Sequence, residues 1–242
     1  MPPATKILKR HPNSRPLGLP DIRKTSRATA AALLVHNIPC CLFGSAACSM
    51  YGMRRVPNDI DMVVLTDQHT PEDLKALIAD TDPKFFLVKS RTPGATWKIL
   101  YYTLPNRGFC KADILLPGIL SIPTVPIERI RYTRVPGAPV MPIVAVILLK
   151  LQGWTDHRDS EREDFQEKQW VDIDDIRDML NVWAKDHRAE NLHTEQWMPA
   201  DFVDAGQGRV IEFLEECPDT VAHWRVIGLM AERVPVLSAP AA

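Results

Sequence analysis

The chain of 242 residues is short of cysteine, lacks any long hydrophobic run and carries no excess of either charge. Its five cysteines, Cys40, Cys41, Cys48, Cys110 and Cys217, are too scattered for a disulfide framework, and no Cys-x-x-Cys or histidine pairing suggests zinc. A reducing compartment is the expectation, with Cys40 and Cys41 serving as small apolar residues of a core strand. The longest apolar run, residues 140–149, is too short to span a bilayer, and the polar, basic, proline-rich first twenty residues hold no secretory apolar core. We therefore expect a soluble, intracellular protein, cytoplasmic and without a membrane partner, although the basic N-terminus leaves an organelle signal open. There is no internal repeat and no glycine-rich P-loop. A formal net charge of -1 argues against a surface that grips nucleic acid everywhere, and leaves local patches open.

Charge is distributed unevenly. Residues 1–27 hold seven Lys or Arg against the single Asp21, whereas residues 156–178 hold ten acidic residues against four basic ones. The basic arm is a feature that RNA could use; a solvated tail is the commoner outcome of such a run. With 45% hydrophobic residues the chain can build one large or two small cores.

Residues 40–65, CCLFGSAACSMYGMRRVPNDIDMVVL, organise the rest. An apolar run ends in Gly44-Ser45, a small-residue segment predicts a short helix, and a second apolar run carries Asp59 and Asp61. A strand turns residues i and i+2 to one side, so these carboxylates share a face about 6.5–7 Å apart. Side by side on a half-buried strand they repel, and a hard cation, Mg²⁺ or Mn²⁺, relieves the repulsion. Gly44 leaves room for close backbone approach, and the N–H groups at the helix start with the Ser45 hydroxyl suit a phosphate.

Elsewhere the pattern predicts a helix from Thr25 or Ser26 to Val35, a helix over 71–79, and strands over 84–89, 97–103 and 109–116. Asp113 interrupts the last of these apolar strands and needs a partner if buried. The proline-rich residues 121–142 read as a connector between two lobes. An almost wholly apolar helix follows over 142–154; its exception, Lys150, lies on one face with Trp154 and Arg158 if the helix runs on, and its ammonium either reaches a triphosphate or snorkels at the helix end. Lys168, Asp172 and Asp175 read as a solvated ion-pair row on the next helix. Two further helices are expected over 208–216 and 219–229, then a frayed tail from Pro235.

The order strand, Gly44-Ser45, short helix, then Asp59-Ile60-Asp61 resembles the nucleotidyltransferase superfamily with the DNA polymerase β type of core, nearest to the bacterial abortive-infection toxin type. Lys150 to Arg158 resembles that branch's lysine-to-arginine helix, and Asp172 to Asp175 its later Asp-x-x-Asp. Pro57 stands where the branch often has threonine, and Lys168 lies four residues before Asp172 where the branch often has Lys-Asp adjacent. The resemblance implies an α/β (α+β) fold: residues 1–24 a tail, 25–136 a nucleotidyltransferase-like lobe with a mixed sheet, and 137–242 a helical lobe. It also implies transfer of a nucleoside monophosphate from a nucleoside triphosphate to an RNA end, a protein hydroxyl or a small molecule, with release of pyrophosphate. Asp59, Asp61 and Asp113 would hold the metal and do the chemistry, and Gly44, Ser45, Arg55, Lys150 and Arg158 would bind the nucleotide. An inactive member that binds a nucleotide or a protein partner is the alternative, and a scaffold without any ligand is a further one.

Overall fold

The computed structural model describes residues 7–8 and 15–230. It divides after Pro142 into two units, Met1–Pro142 and Ile143–Ala242. The basic residues Lys6, Lys9 and Arg10 and the tail from Pro235 lie outside the described residues.

The first unit is a mixed sheet with helices. Its strands are β1 (Ile7–Leu8), β2 (Cys40–Phe43), β3 (Asp59–Val64), β4 (Phe85–Lys89), β5 (Lys98–Leu104), β6 (Gly108–Leu115), β7 (Arg131–Tyr132) and β8 (Pro139–Val140). They lie in the order β1-β4-β5-β6-β3-β2-β8-β7, with β3 parallel to β6 and antiparallel to β2. The helices are α1 (Leu19–Leu34), α2 (Gly44–Tyr51) and α3 (Pro71–Thr81). Strict alternation in β6 buries Cys110, Ala112 and Ile114 on one side, and Ile60 and Met62 of β3 join them there. Helices α1 and α3 pack on these strands. The residues between, Asp59, Asp61, Lys111 and Asp113, are held to the opposite side by the period of two.

The helix expected over 208–216 begins at Ala200, and three further expectations change. Helix α1 begins at Leu19, six residues before Thr25: Pro20 sits in the first turn, where a missing N–H costs nothing. The Asp21 carboxylate accepts from the Gly18 N–H at 3.0 Å and is clasped by Arg15 at 2.7 and 2.9 Å. The Arg15 hydrogen bonds hold the Asp21 carboxyl below the usual range. Residues 19–24 thus belong to the fold, and Ile22 is fully buried. The proline-rich stretch 121–142 is no simple connector, because Val140 pairs with Leu42 and extends the sheet; the division falls after Pro142 rather than after residue 136.

The second unit consists of α4 (Ile143–Arg158), α5 (Glu163–Gln166), α6 (Lys168–Val182), α7 (Ala200–Glu216) and α8 (Val221–Ile227). Helix α4 is buried along almost its whole length, with α6 and α7 against it. Gly206 makes room for this: a Cβ there would lie 2.5 Å from a Leu148 methyl. Phe213 stacks edge-on against both Trp154 and Trp224, at 5.2 and 6.0 Å.

The third change is the most informative. Asp172 and Asp175 do not form a solvated row; they turn inward onto Lys150, whose Nζ lies 3.1 and 2.7 Å from them. Asp172 also meets His157 Nδ1 at 2.5 Å. All three side chains of the lysine cluster are under one-tenth exposed. An apolar helix can bury an ammonium only if opposite charge is buried with it.

Lys150→Met strands two buried carboxylates, so it should lower the unfolding free energy by about 3–5 kcal/mol. Denaturant titration followed by tryptophan fluorescence reads this, since five of the six tryptophans lie in this unit. Arg162→Met, which breaks an exposed pair with Asp164, should leave the midpoint in place. All five cysteines are free and buried, and burial pushes the Cys40 and Cys110 thiols up to about 12. A disulfide reagent at about pH 8 should therefore titrate none of them in the native protein and all of them in denaturant.

Candidate active site

The site begins at the end of β2. Phe43 is extended, Gly44 takes φ +61°, in the left-handed region that glycine alone enters cheaply, and α2 starts. Because Phe43 pairs with Asp61, Gly44 emerges directly beside that carboxylate, and a Cβ on Gly44 would lie 2.5 Å from Asp61 Oδ2. Any side chain at position 44 would displace the aspartate.

On the other side of β3 the parallel register sets Asp61 opposite Asp113 and Asp59 opposite Lys111. Gly44, the first residue of α2, thus ends a row that runs from Asp113 on β6 through Asp61 on β3. Asp59 and Asp113 keep about a third of their side-chain surface exposed, so the row is open to solvent and to a ligand.

Ser45 and Arg55 meet at the same end of β2. The loop after α2 carries Arg55 back, and its guanidinium donates to Ser45 Oγ at 2.7 Å. A hydroxyl and a guanidinium beside a glycine turn are groups that bind phosphate oxygens.

Lys150 and Arg158 belong to the other unit and are engaged there. Lys150 is buried in its two-aspartate cluster. Arg158 binds Asp159 at 2.7 Å and Glu212 at 2.6 Å and lies 4.7 Å over the Trp154 ring; its pKa is raised, first by Asp159 and then by Glu212. Within their own unit, then, Lys150 is paired with two buried carboxylates and the more exposed Arg158 with two largely exposed ones.

The structure adds Lys111 to the carboxylate row. It precedes Asp113 by two on β6, so their shared face was readable from the alternation, whereas its place opposite Asp59 was not. Its Nζ lies 2.5 Å from Asp113 and 3.5 Å from Asp59. Burial pulls the ammonium's pKa down, but the carboxylates of Asp113, Asp59 and Asp61 outweigh it and the pKa ends above its ordinary value. Tyr101 pairs with Lys111 from β5, and burial raises its phenol.

Three aspartates are a donor set suited to a hard cation. As arranged they do not fit one: among the described residues no group of three or more His, Cys, Asp or Glu is placed to hold a metal ion, and the cation between Asp59 and Asp113 is an ammonium. A cavity of 590 Å³ lined by Arg27, Leu34, Cys40, Ile130 and Tyr132 opens at the other end of β2, away from the carboxylates. No helix among the described residues is long and apolar enough to cross a membrane.

No protein-family model matches the sequence, and no curated protein matches it. Solved structures are similar. An antigenic nucleotidyltransferase-like protein from Paracoccidioides brasiliensis superposes with a TM-score of 0.63 at 16% identity, over 88% of this chain and 95% of that one. JHP933 from Helicobacter pylori gives a TM-score of 0.47 at 16% identity, over 86% of this chain and 79% of that one. With the row of Gly44, Asp61 and Asp113 set on a mixed sheet and a helical unit following it, the chain has the nucleotidyltransferase-like fold.

Proposed function

We propose that the protein is a nucleotidyltransferase that moves a nucleoside monophosphate from a nucleoside triphosphate to a hydroxyl acceptor and releases pyrophosphate. The observation that carries this reading is Gly44, just past the end of β2, beside Asp61 of β3, with Asp113 opposite Asp61 on β6 and Ser45 and Arg55 beside the glycine turn. The triphosphate lies along the glycine turn, where Ser45 donates a hydrogen bond and Arg55 offsets charge that moves onto the leaving group. The acceptor oxygen attacks the α-phosphorus, the α–β phosphoanhydride bond breaks, and the electron pair leaves on pyrophosphate. Asp113, open on one side to solvent, takes the hydroxyl proton.

The cofactor this reading calls for is Mg²⁺ or Mn²⁺ on Asp59, Asp61 and Asp113, two of which hold the Lys111 ammonium as arranged. The aspartates would have to exchange Lys111 for it. The acceptor is an RNA end, a protein hydroxyl or a small molecule. A second reading, an inactive member that binds a nucleotide or a protein partner, is favoured by one observation: Lys111 already satisfies the carboxylates.

Incubating the protein with each α-labelled nucleoside triphosphate and Mg²⁺, with and without total RNA, should place label on one acceptor class. Asp61→Asn should cut that transfer by about a hundredfold or more while leaving the circular dichroism spectrum unchanged. Full transfer by Asp61→Asn would remove the assignment; nucleotide binding by calorimetry without transfer would favour the second reading. Gly44→Ala should cost about 1–3 kcal/mol of stability through its positive φ and also abolish transfer by displacing Asp61.

A further inference from the structure

The disagreement between the donor set and its arrangement is specific, and it has one cause. Three carboxylates stand on the solvent-facing side of β3 and β6, yet the group among them is a lysine of the same sheet. Backbone pairing fixes where Lys111 starts: opposite Asp59 and two residues before Asp113. From there its ammonium contacts both, at 3.5 and 2.5 Å, and the charge of Asp61 bears on it as well. A third of the Lys111 side chain remains exposed, so the ammonium has water to move into. The buried Lys150 of the second unit, one-tenth exposed and enclosed with Asp172 and Asp175, has no such exit.

A divalent ion and an ammonium cannot both sit against Asp59 and Asp113, because like charges a few ångströms apart in a half-buried site repel strongly. We infer that Lys111 is a tethered resident cation that closes the carboxylate row, and that a divalent ion is bound only when the Lys111 ammonium leaves Asp59 and Asp113. The inference rests on the nucleotidyltransferase reading for the role of the carboxylates, and goes beyond it in assigning their occupant. The tether has two consequences. It relieves the mutual repulsion of the aspartates when no ion is present, and it lowers the affinity of the row for an ion by the cost of expelling the lysine. Lys111 is thus a positioning residue that sets the ion concentration at which the site opens.

The test is Mn²⁺ binding to the full chain, read by the loss of the free-ion electron paramagnetic resonance signal, for wild type, Lys111→Met, Lys111→Arg and Lys111→Met/Asp61→Asn. Lys111→Met keeps the length and apolar stem and should bind Mn²⁺ about tenfold more tightly than wild type or more. Lys111→Arg keeps the charge and should bind no more tightly than wild type, and the double variant should lose the gain. Without Mn²⁺, Lys111→Met should melt below wild type, and Mn²⁺ should raise its melting temperature by more than it raises that of wild type. Equal or weaker binding by a folded Lys111→Met overturns the inference and leaves the proposed reaction standing if wild type still transfers nucleotide. Absence of Mn²⁺ binding in every folded variant overturns the inference together with the metal-dependent reading.

Discussion

The parallel register of β3 against β6 is the constraint on which the site depends. A strand shows alternate residues to alternate sides, so a slip of one residue would turn Asp113 into the packed face and Ala112 or Ile114 out of it. Burial forbids the slip. Ile60, Met62, Cys110 and Ala112 have no exposed surface, and Ile114 has 4%. The hydrophobic effect acting on one side of the sheet therefore sets the spacing of the charges on the other. The antiparallel pairing of β2 with β3 adds the glycine turn to the same row, because Phe43 opposite Asp61 leaves Gly44 no other place to emerge.

Two lysine–aspartate clusters with the same chemistry have opposite physical characters. In the second unit Lys150, Asp172 and Asp175 are shielded from water, and the cluster holds an apolar helix to α6. Separating those charges costs more than their pairing contributes, since each would be left uncompensated in a low-dielectric interior. In the first unit Lys111, Asp59 and Asp113 keep about a third of their side-chain surface in water, so the same pairing is hydrated on one side and contributes little. Exposure, rather than residue type, separates the two clusters.

Much of the candidate site was legible because its signals are local. Asp59 and Asp61 share a face by the period of two, and the glycine before a short helix marks a turn with close approach. Ser45 and Arg55 could be named from the same stretch, although their hydrogen bond required the loop after α2 to fold back. Asp113 stood out as a charge in an apolar strand. The misreadings also have physical reasons. Pro20 falls in a proline-rich stretch that reads as a tail but is a first-turn helix residue, and Asp172 and Asp175 read as solvent-facing because charges on a helix usually are. Whether such a face is wet depends on the neighbouring helix, and that helix happens to carry a buried lysine.

The sequence by itself determined the principal elements of the site and their faces: the strands that carry Asp59, Asp61 and Asp113, the side of β3 that carries the carboxylates, and that a sheet-bearing part precedes a helical one. These follow from periodicities of two and 3.6 and from turn chemistry, which operate over a few neighbouring residues. Only the tertiary structure decided the pairings: Asp61 with Asp113, Lys111 with Asp59, Lys150 with the two aspartates of α6, and Val140 with Leu42. Such partners lie tens of residues apart, and no local pattern encodes them. They are fixed when separate apolar faces are buried together, and the charges go where that burial carries them.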